Sequence, residues 1–227
     1  METTSRDTPL VQYLDATLLK PETDAAQLRE FVTDAAQFGV KAVCFSPSFL
    51  PFEVPQPVKT AVVVGFPSGK HATAVKAYEA KLAVENGADE LDMVIDIAAA
   101  TQHDFAAVET DIAAVVAAAT SAGADRDTVV KVILETAALD DAAIVSGCLA
   151  AESAGAHFVK TSTGFHPAGG ASLRAVELMA RTVDGRLGVK ASGGIRNRAT
   201  ALQMINAGAT RLGVSAYREI LAEPAPR

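Results

Sequence analysis

The sequence predicts an α/β protein, a single (β/α)8 (TIM) barrel over residues 1–227, and three observations point there. One pattern recurs: an amphipathic stretch ends at Gly followed by Ala or Val, and a β-branched run begins. It is seen at FGVKAVCF, NGADELDMVI, AGADRDTVVKVIL, AGAHFVKTS and AGATRLGVS. The runs, VVKVIL most clearly, are apolar with little alternation, as parallel strands covered on both faces require. The length, 227 residues, falls within the range of one such barrel. A doubly wound open sheet is the alternative, but no GxGxxG follows an early strand.

In chain order the strands are placed near 13–18, 40–45, 59–66, 89–96, 128–135, 156–162, 187–192 and 210–215, each a short apolar run bounded by Gly or polar residues. Helical patterns lie near 24–38, 70–86, 102–122, 140–154, 171–183, 198–207 and 216–222. The helix at 102–122 has Asp104 ahead of Phe105, Val108, Ile112, Val115 and Val116, an N-terminal cap before a 3.6-residue stripe. Between the second and third strands, SPSFLPFEVPQPVK carries four prolines and replaces most of a helix. Gly39, Gly87, Gly123, Gly155 and Gly208 stand where a helix needs a left-handed last residue. The tail, 223–227, is expected to fray.

Composition excludes several classes of function. Lys and Arg number 20 against 27 Asp and Glu, a net charge of −7, which disfavours nucleic acid or an anionic membrane as the main partner. Hydrophobic residues make up 49%, with 45 alanines and no Trp; such a chain has an aliphatic core and is not disordered. Cys44 and Cys148 are too few for a disulfide framework. The opening METTSRDTPLVQYL lacks a signal-peptide core, and the Ala-rich run 113–119 is far short of the roughly 20 residues of a membrane span. A soluble cytoplasmic protein acting on small molecules is expected.

A barrel carries its site at the C-terminal ends of the strands. The polar residues there are Asp15, Cys44, Asp92, Asp96, Lys131, Glu135, Lys160 and Lys190. Three strands thus hold a lysine inside an apolar run, and an unpaired buried lysine is costly. Read singly, each pairs with Asp92, Asp96 or Glu135. Lys160 and Lys190 together read differently, because each precedes a small glycine-rich turn, TSTG or ASGG, able to approach a phosphate. Lysine chemistry of this kind is Schiff-base catalysis, which needs the free amine; burial and a neighbouring ammonium both favour it. Adjacent strands bring Lys160 and Lys190 together, and Asp92 faces them as a proton carrier. Gly193, Gly194 and Arg196 after strand seven, with RLGVSA (211–216) after strand eight, extend the phosphate site. His71, His103, His157 and His166 have no metal-ligand spacing, although His166 in GFHPAGG lies near the site. Cys44 alone reads as a small core residue.

LDATLLKP, VCFSP, VVVGFPSG, GADELDMVI, VKVILET, GAHFVKTSTGF, GVKASGGIR and GATRLGVSA, in this order over about residues 10 to 221, resemble the deoxyribose-phosphate aldolase family. The resemblance implies a class I enzyme with no metal or other cofactor. Its reaction would be reversible cleavage of 2-deoxy-D-ribose 5-phosphate into D-glyceraldehyde 3-phosphate and acetaldehyde, on a homodimeric barrel. It implies Lys160 as the Schiff-base residue, Lys190 as the group tuning it, and Asp92 as proton donor and acceptor. Asp15, Lys131 and Cys44 take supporting positions, and Gly164, Gly193, Gly194, Gly213 and Ser215 contact phosphate. The chain departs from the family pattern at Ala16, Phe45-Ser46 and Tyr217. Another Schiff-base phosphosugar aldolase or transaldolase, and a non-catalytic phosphometabolite-binding barrel, are the competing readings. The paired lysines favour an enzyme, since a binding protein has no use for a desolvated lysine.

Overall fold

The computed structural model describes residues 8–123 and 127–222. Eight parallel strands close on themselves in sequence order: β1 Leu14–Thr17, β2 Ala42–Phe45, β3 Lys59–Val64, β4 Glu90–Val94, β5 Val129–Ile133, β6 Phe158–Lys160, β7 Gly188–Ser192 and β8 Arg211–Val214. Helices α1 (Ala25–Phe38), α2 (Thr73–Glu85), α3 (Ile97–Thr101), α4 (Phe105–Gly123), α5 (Asp141–Ser153), α6 (Leu173–Val183), α7 (Arg198–Asn206) and α8 (Tyr217–Ala222) connect them. The barrel is the architecture expected, and the proline-rich segment after β2 forms only a 3-10 turn, Pro47–Phe49.

Local chemistry sets the helix ends. Asp24 and Gln27 form a reciprocal capping box on α1, and Asp140, Ser172 and Asn197 each accept from a first-turn N–H of α5, α6 and α7. Asp104 accepts from the Ala107 N–H, as its position suggested. Gly39 closes α1 at φ 73°, a left-handed conformation that costs a side-chain-bearing residue energy. Gly87, Gly155 and Gly208 also have positive φ, but Gly123 does not; it stays helical as the last residue of α4. The expected fraying of 223–227 lies outside the described residues.

Strand alternation divides the core in two. Leu14, Val43, Val62, Leu91, Met93, Val132, Val159, Val189 and Leu212 face the helices and pack with Leu28, Ile112, Val115, Ile144 and Val176. Full burial of each such side chain contributes about 1.5–3 kcal/mol, so this outer layer holds the fold. The Ala-rich 113–119 run proves to be the middle of α4, a 19-residue helix that by length and composition alone is long and apolar enough to cross a membrane. Here Val108, Ile112, Val115 and Ala119 of α4 pack into the outer core, and its buried Asp111 pairs with Lys76 of α2 at 2.6 Å.

Candidate active site

The inward-facing alternate positions carry the polar residues. On β2 and β3 they are small, Ala42, Cys44, Ala61 and Val63, with Leu19 and Phe66 packed against them. This leaves room for long side chains from the opposite wall. Lys131, Lys160 and Lys190 point in from β5, β6 and β7, Asp15 from β1, Asp92 and Glu90 from β4, and Arg211 from β8. All seven are buried.

Asp92 is the hub. Its Oδ2 accepts from Lys160 Nζ at 2.6 Å and from Lys190 Nζ at 2.7 Å, while Oδ1 accepts from Lys131 Nζ at 2.8 Å. Lys190 also donates to Asp15 Oδ2. Beneath them Lys131 meets Glu90 at 2.6 Å, and Arg211 joins Asp15 (2.7 Å) to Glu90 (3.0 Å). The Arg211 guanidinium lies over the Phe158 ring at 5.4 Å, and that ring occupies the space a side chain at Gly188 would fill.

The three lysines are electrostatically unequal. Burial pushes Lys160 down; Asp92 opposes this, Lys190 adds to it, and the net direction is below the ordinary lysine value. Burial also acts against charge on Lys190 and Lys131, but there the carboxylates win, Asp15 and Asp92 for Lys190, Asp92 and Glu90 for Lys131, and both are raised. Asp92 is held well below the usual carboxylate range, its three ammonium neighbours overcoming burial. Asp15 falls to about 2 in the same way. Cys44 is pushed up to about 11, first by burial and then by Asp92, so its thiol is neutral. Lys160 is the lysine disposed to lose its proton.

Lys160 opens into a cavity of about 290 Å³, lined also by Lys20, Thr163, Gly164, Ser192, Gly193, Gly194, Arg196, Gly213 and Ser215. The loops after β6 and β7 are locked together: the Ala171 N–H donates to the carbonyls of Ser192 and Gly193. Gly193, at φ 86°, brings its backbone so near Gly170 that a Cβ would lie 2.9 Å from that Cα. A wider groove of about 440 Å³, lined by His71, Val75, Tyr78 and Leu82 of the α2 side, contains none of the charged cluster. Chemistry and not volume picks the site.

A family model described as DeoC/LacD family aldolase matches residues 10–223. The chain belongs to the DeoC/LacD aldolase family. It is 57% identical over 218 residues to the deoxyribose-phosphate aldolase of Mycobacterium avium, covering 93% of this chain and 95% of that protein. It is 56% identical over 212 residues to that of Kocuria rhizophila, with the same two coverages, 93% and 95%. The tetrameric deoxyribose phosphate aldolase of Aeropyrum pernix superposes with a TM-score of 0.83 at 32% identity, over 93% of this chain and 89% of that one.

For this aldolase, the structure brings together Asp15, Asp92, Lys131, Lys160 and Lys190, with Cys44 on the facing wall, and it sets Gly164, Gly193, Gly194, Gly213 and Ser215 around one cavity. Two expected lysine partners are elsewhere. Asp96 caps α3 and pairs with exposed Lys70 at 2.8 Å, and Glu135 accepts from the N–H and Oγ1 of Thr163. Gly213 has a second contact beyond the cavity: a Cβ there would lie 3.1 Å from Lys190 Cε. His166 accepts from the Ala168 N–H within its own turn and is not among the cavity-lining residues. Glu90 was missed, because a charged residue opening a strand reads as a solvated end; Arg211, expected with RLGVSA beyond strand eight at the phosphate site, instead opens β8 itself and pairs with Asp15 and Glu90. Three of the four residues that depart from the family pattern face outward: Ala16 and Phe45 lie in the outer core, and Tyr217 donates to Asp34 on α1 at 2.6 Å, while Ser46 precedes the turn Pro47–Phe49.

Proposed function

We propose that this aldolase cleaves 2-deoxy-D-ribose 5-phosphate, reversibly, to D-glyceraldehyde 3-phosphate and acetaldehyde through an imine on Lys160. The observation that carries the reading is that Lys160 alone of the three interior lysines lines the glycine-walled cavity, while sharing Asp92 Oδ2 with the ammonium of Lys190. The free amine of Lys160 adds to the C1 aldehyde of the open-chain sugar, and water leaves to give the iminium. Loss of the C3 hydroxyl proton breaks the C2–C3 bond, whose electron pair moves into the iminium and yields an enamine. Asp92, ionised and within hydrogen-bond reach of the Lys160 nitrogen, is the acceptor placed for that proton. Lys190 and Lys131 can return it to the enamine carbon through the same carboxylate. Hydrolysis then frees acetaldehyde and Lys160. Gly164, Gly193, Gly194, Gly213 and Ser215, with the cation of Arg196, are suited to the phosphate. Leu19, Phe66 and Cys44 form an apolar wall fitting a two-carbon donor.

Incubation with acetaldehyde and borohydride, followed by peptide mass mapping, tests this assignment. An adduct on Lys160 is expected; an adduct on Lys131 or Lys190, or none, overturns it. Residues 1–227 acting as one domain, assembled as a cytoplasmic homodimer, is the organisation the family resemblance supports. Light scattering showing a monomer or a tetramer would count against the dimer.

A further inference from the structure

The charged interior extends below the lysines, and its composition is lopsided. Among the described residues, the connected, buried set holds four basic residues, Lys131, Lys160, Lys190 and Arg211, against three acids, Asp15, Glu90 and Asp92. Its electroneutral state is therefore the one with a single basic group unprotonated. Each of the other three cations touches at least two carboxylates: Lys131 meets Asp92 and Glu90 and, at 3.8 Å, Asp15, Lys190 meets Asp15 and Asp92, and Arg211 meets Asp15 and Glu90. Lys160 meets Asp92 only, and shares the oxygen it uses. The surplus proton belongs to Lys160.

We infer that Glu90 and Arg211, neither of which reaches the cavity, are positioning residues that fix this charge balance and thereby favour the free amine of Lys160. The inference rests on the reading of Lys160 as the imine-forming residue. Arg211 occupies one oxygen of Asp15 and leans on Glu90, so Asp15 is not free to serve Lys160. Glu90 holds Lys131 from below, so Lys131 does not release Asp92 Oδ1. Around Lys160 itself the titratable groups are Asp92 from β4, Lys190 from β7 and neutral Cys44 from β2. Lys131 from β5 and Asp15 from β1 lie one contact further, and Glu135 is engaged by Thr163. Removing a cation from the set makes protonated Lys160 the neutral state, and removing an anion does the reverse.

The test is the pH dependence, from about pH 5 to 10, of acetaldehyde trapping on Lys160 by cyanoborohydride, since the rate follows the free-amine fraction. Arg211→Met should move the acidic limb up by about one pH unit, a size suited to one charge acting at second-neighbour range with an effective dielectric constant of about 20. Trapping below the limb would then fall about tenfold. Glu90→Gln should move the limb down, Arg211→Lys should leave it in place, and the double variant Arg211→Met/Glu90→Gln should return it near the wild-type position. Loss of packing alone would not reverse sign between the singles or recover in the double. A limb unmoved by Arg211→Met, or moved the same way by both singles, overturns the inference. If Arg211→Met does not fold, Glu90→Gln against Arg211→Lys decides: a limb that Glu90→Gln leaves in place or raises refutes the charge balance. Wild-type protein that traps no acetaldehyde would instead refute the functional reading on which this one stands.

Discussion

Replacing Lys190 with Met removes the cation closest to Lys160, the amine proposed to form the imine, while keeping an unbranched side chain in its channel. Lys160 Nζ and Lys190 Nζ lie 2.6 and 2.7 Å from the same Asp92 oxygen, so the two nitrogens are within about 5 Å of each other. At that separation and an effective dielectric constant of about 20, their repulsion is roughly 3 kcal/mol, about a hundredfold in the balance between free amine and ammonium. Without Lys190, Asp92 also turns more fully to Lys160, which acts in the same direction. The folded-state pKa of Lys160 therefore rises, the free amine at pH 7 falls by about a hundredfold, and imine formation falls with it. Activity should recover in alkaline buffer, because the lost fraction returns as pH passes the new value. The assay is the pH profile of cyanoborohydride trapping, checked against turnover of the phosphorylated sugar. A limb that stays in place while turnover collapses would show that Lys190 acts in proton transfer alone, and the electrostatic argument would be wrong. Burial, the first cause of the Lys160 shift, is untouched by the change, so Lys160 should not return to the full value of a solvated lysine.

Lys160→Ala should abolish trapping and turnover together with little loss of fold; residual adduct measured by mass would point to another lysine. Ser215→Asp or Gly194→Asp should raise KM for the phosphorylated sugar far more than for free deoxyribose, since a carboxylate in the cavity opposes a dianion; equal losses in the two kinetic series would move the phosphate elsewhere. Lys76→Met should destabilise by about 3–5 kcal/mol in denaturant melts, leaving buried Asp111 unpaired, whereas Lys76→Met/Asp111→Leu should regain most of it. Asp15, lowered to about 2, stabilises the fold fully above the ordinary carboxylate range. That share should fade as pH falls toward 2, and Asp15→Asn should flatten the acid limb of stability.

Much of the fold was legible because helix ends are local events. A Gly after an amphipathic stretch, an Asp ahead of one and a β-branched run each act over a few residues, and Gly39, Asp104 and VVKVIL behave as that chemistry requires. Gly123 departs from the pattern because a glycine turns left-handed only where the helix stops before it, and α4 includes Gly123 as its last helical residue. The five-residue α3 was missed because IAAAT has no apolar period to read; Asp96 and its two first-turn N–H bonds define it. In the site, lysines interrupting apolar strands stood out, since sequence shows when a charge is out of place. It does not show who meets it. Of the expected partners the lysines met Asp92 but not Asp96 or Glu135, and they also found Asp15 and Glu90, which barrel closure brings from β1 and β4.

The same two-residue period that builds the barrel also separates stability from chemistry. Outward positions carry Leu, Val, Ile and Met and bury them against the helices, so the inward positions are released from holding the fold together. Seven charged groups can then be desolvated inside, a choice that opposes stability unless every charge has a partner. Small residues on β2 and β3 supply the space, and Gly188 and Gly213 clear it for Phe158 and Lys190. With three acids for four bases, complete pairing is arithmetically impossible while every base is protonated. The strain of that mismatch falls on the lysine with the fewest carboxylate contacts, which is also the one that opens to the cavity.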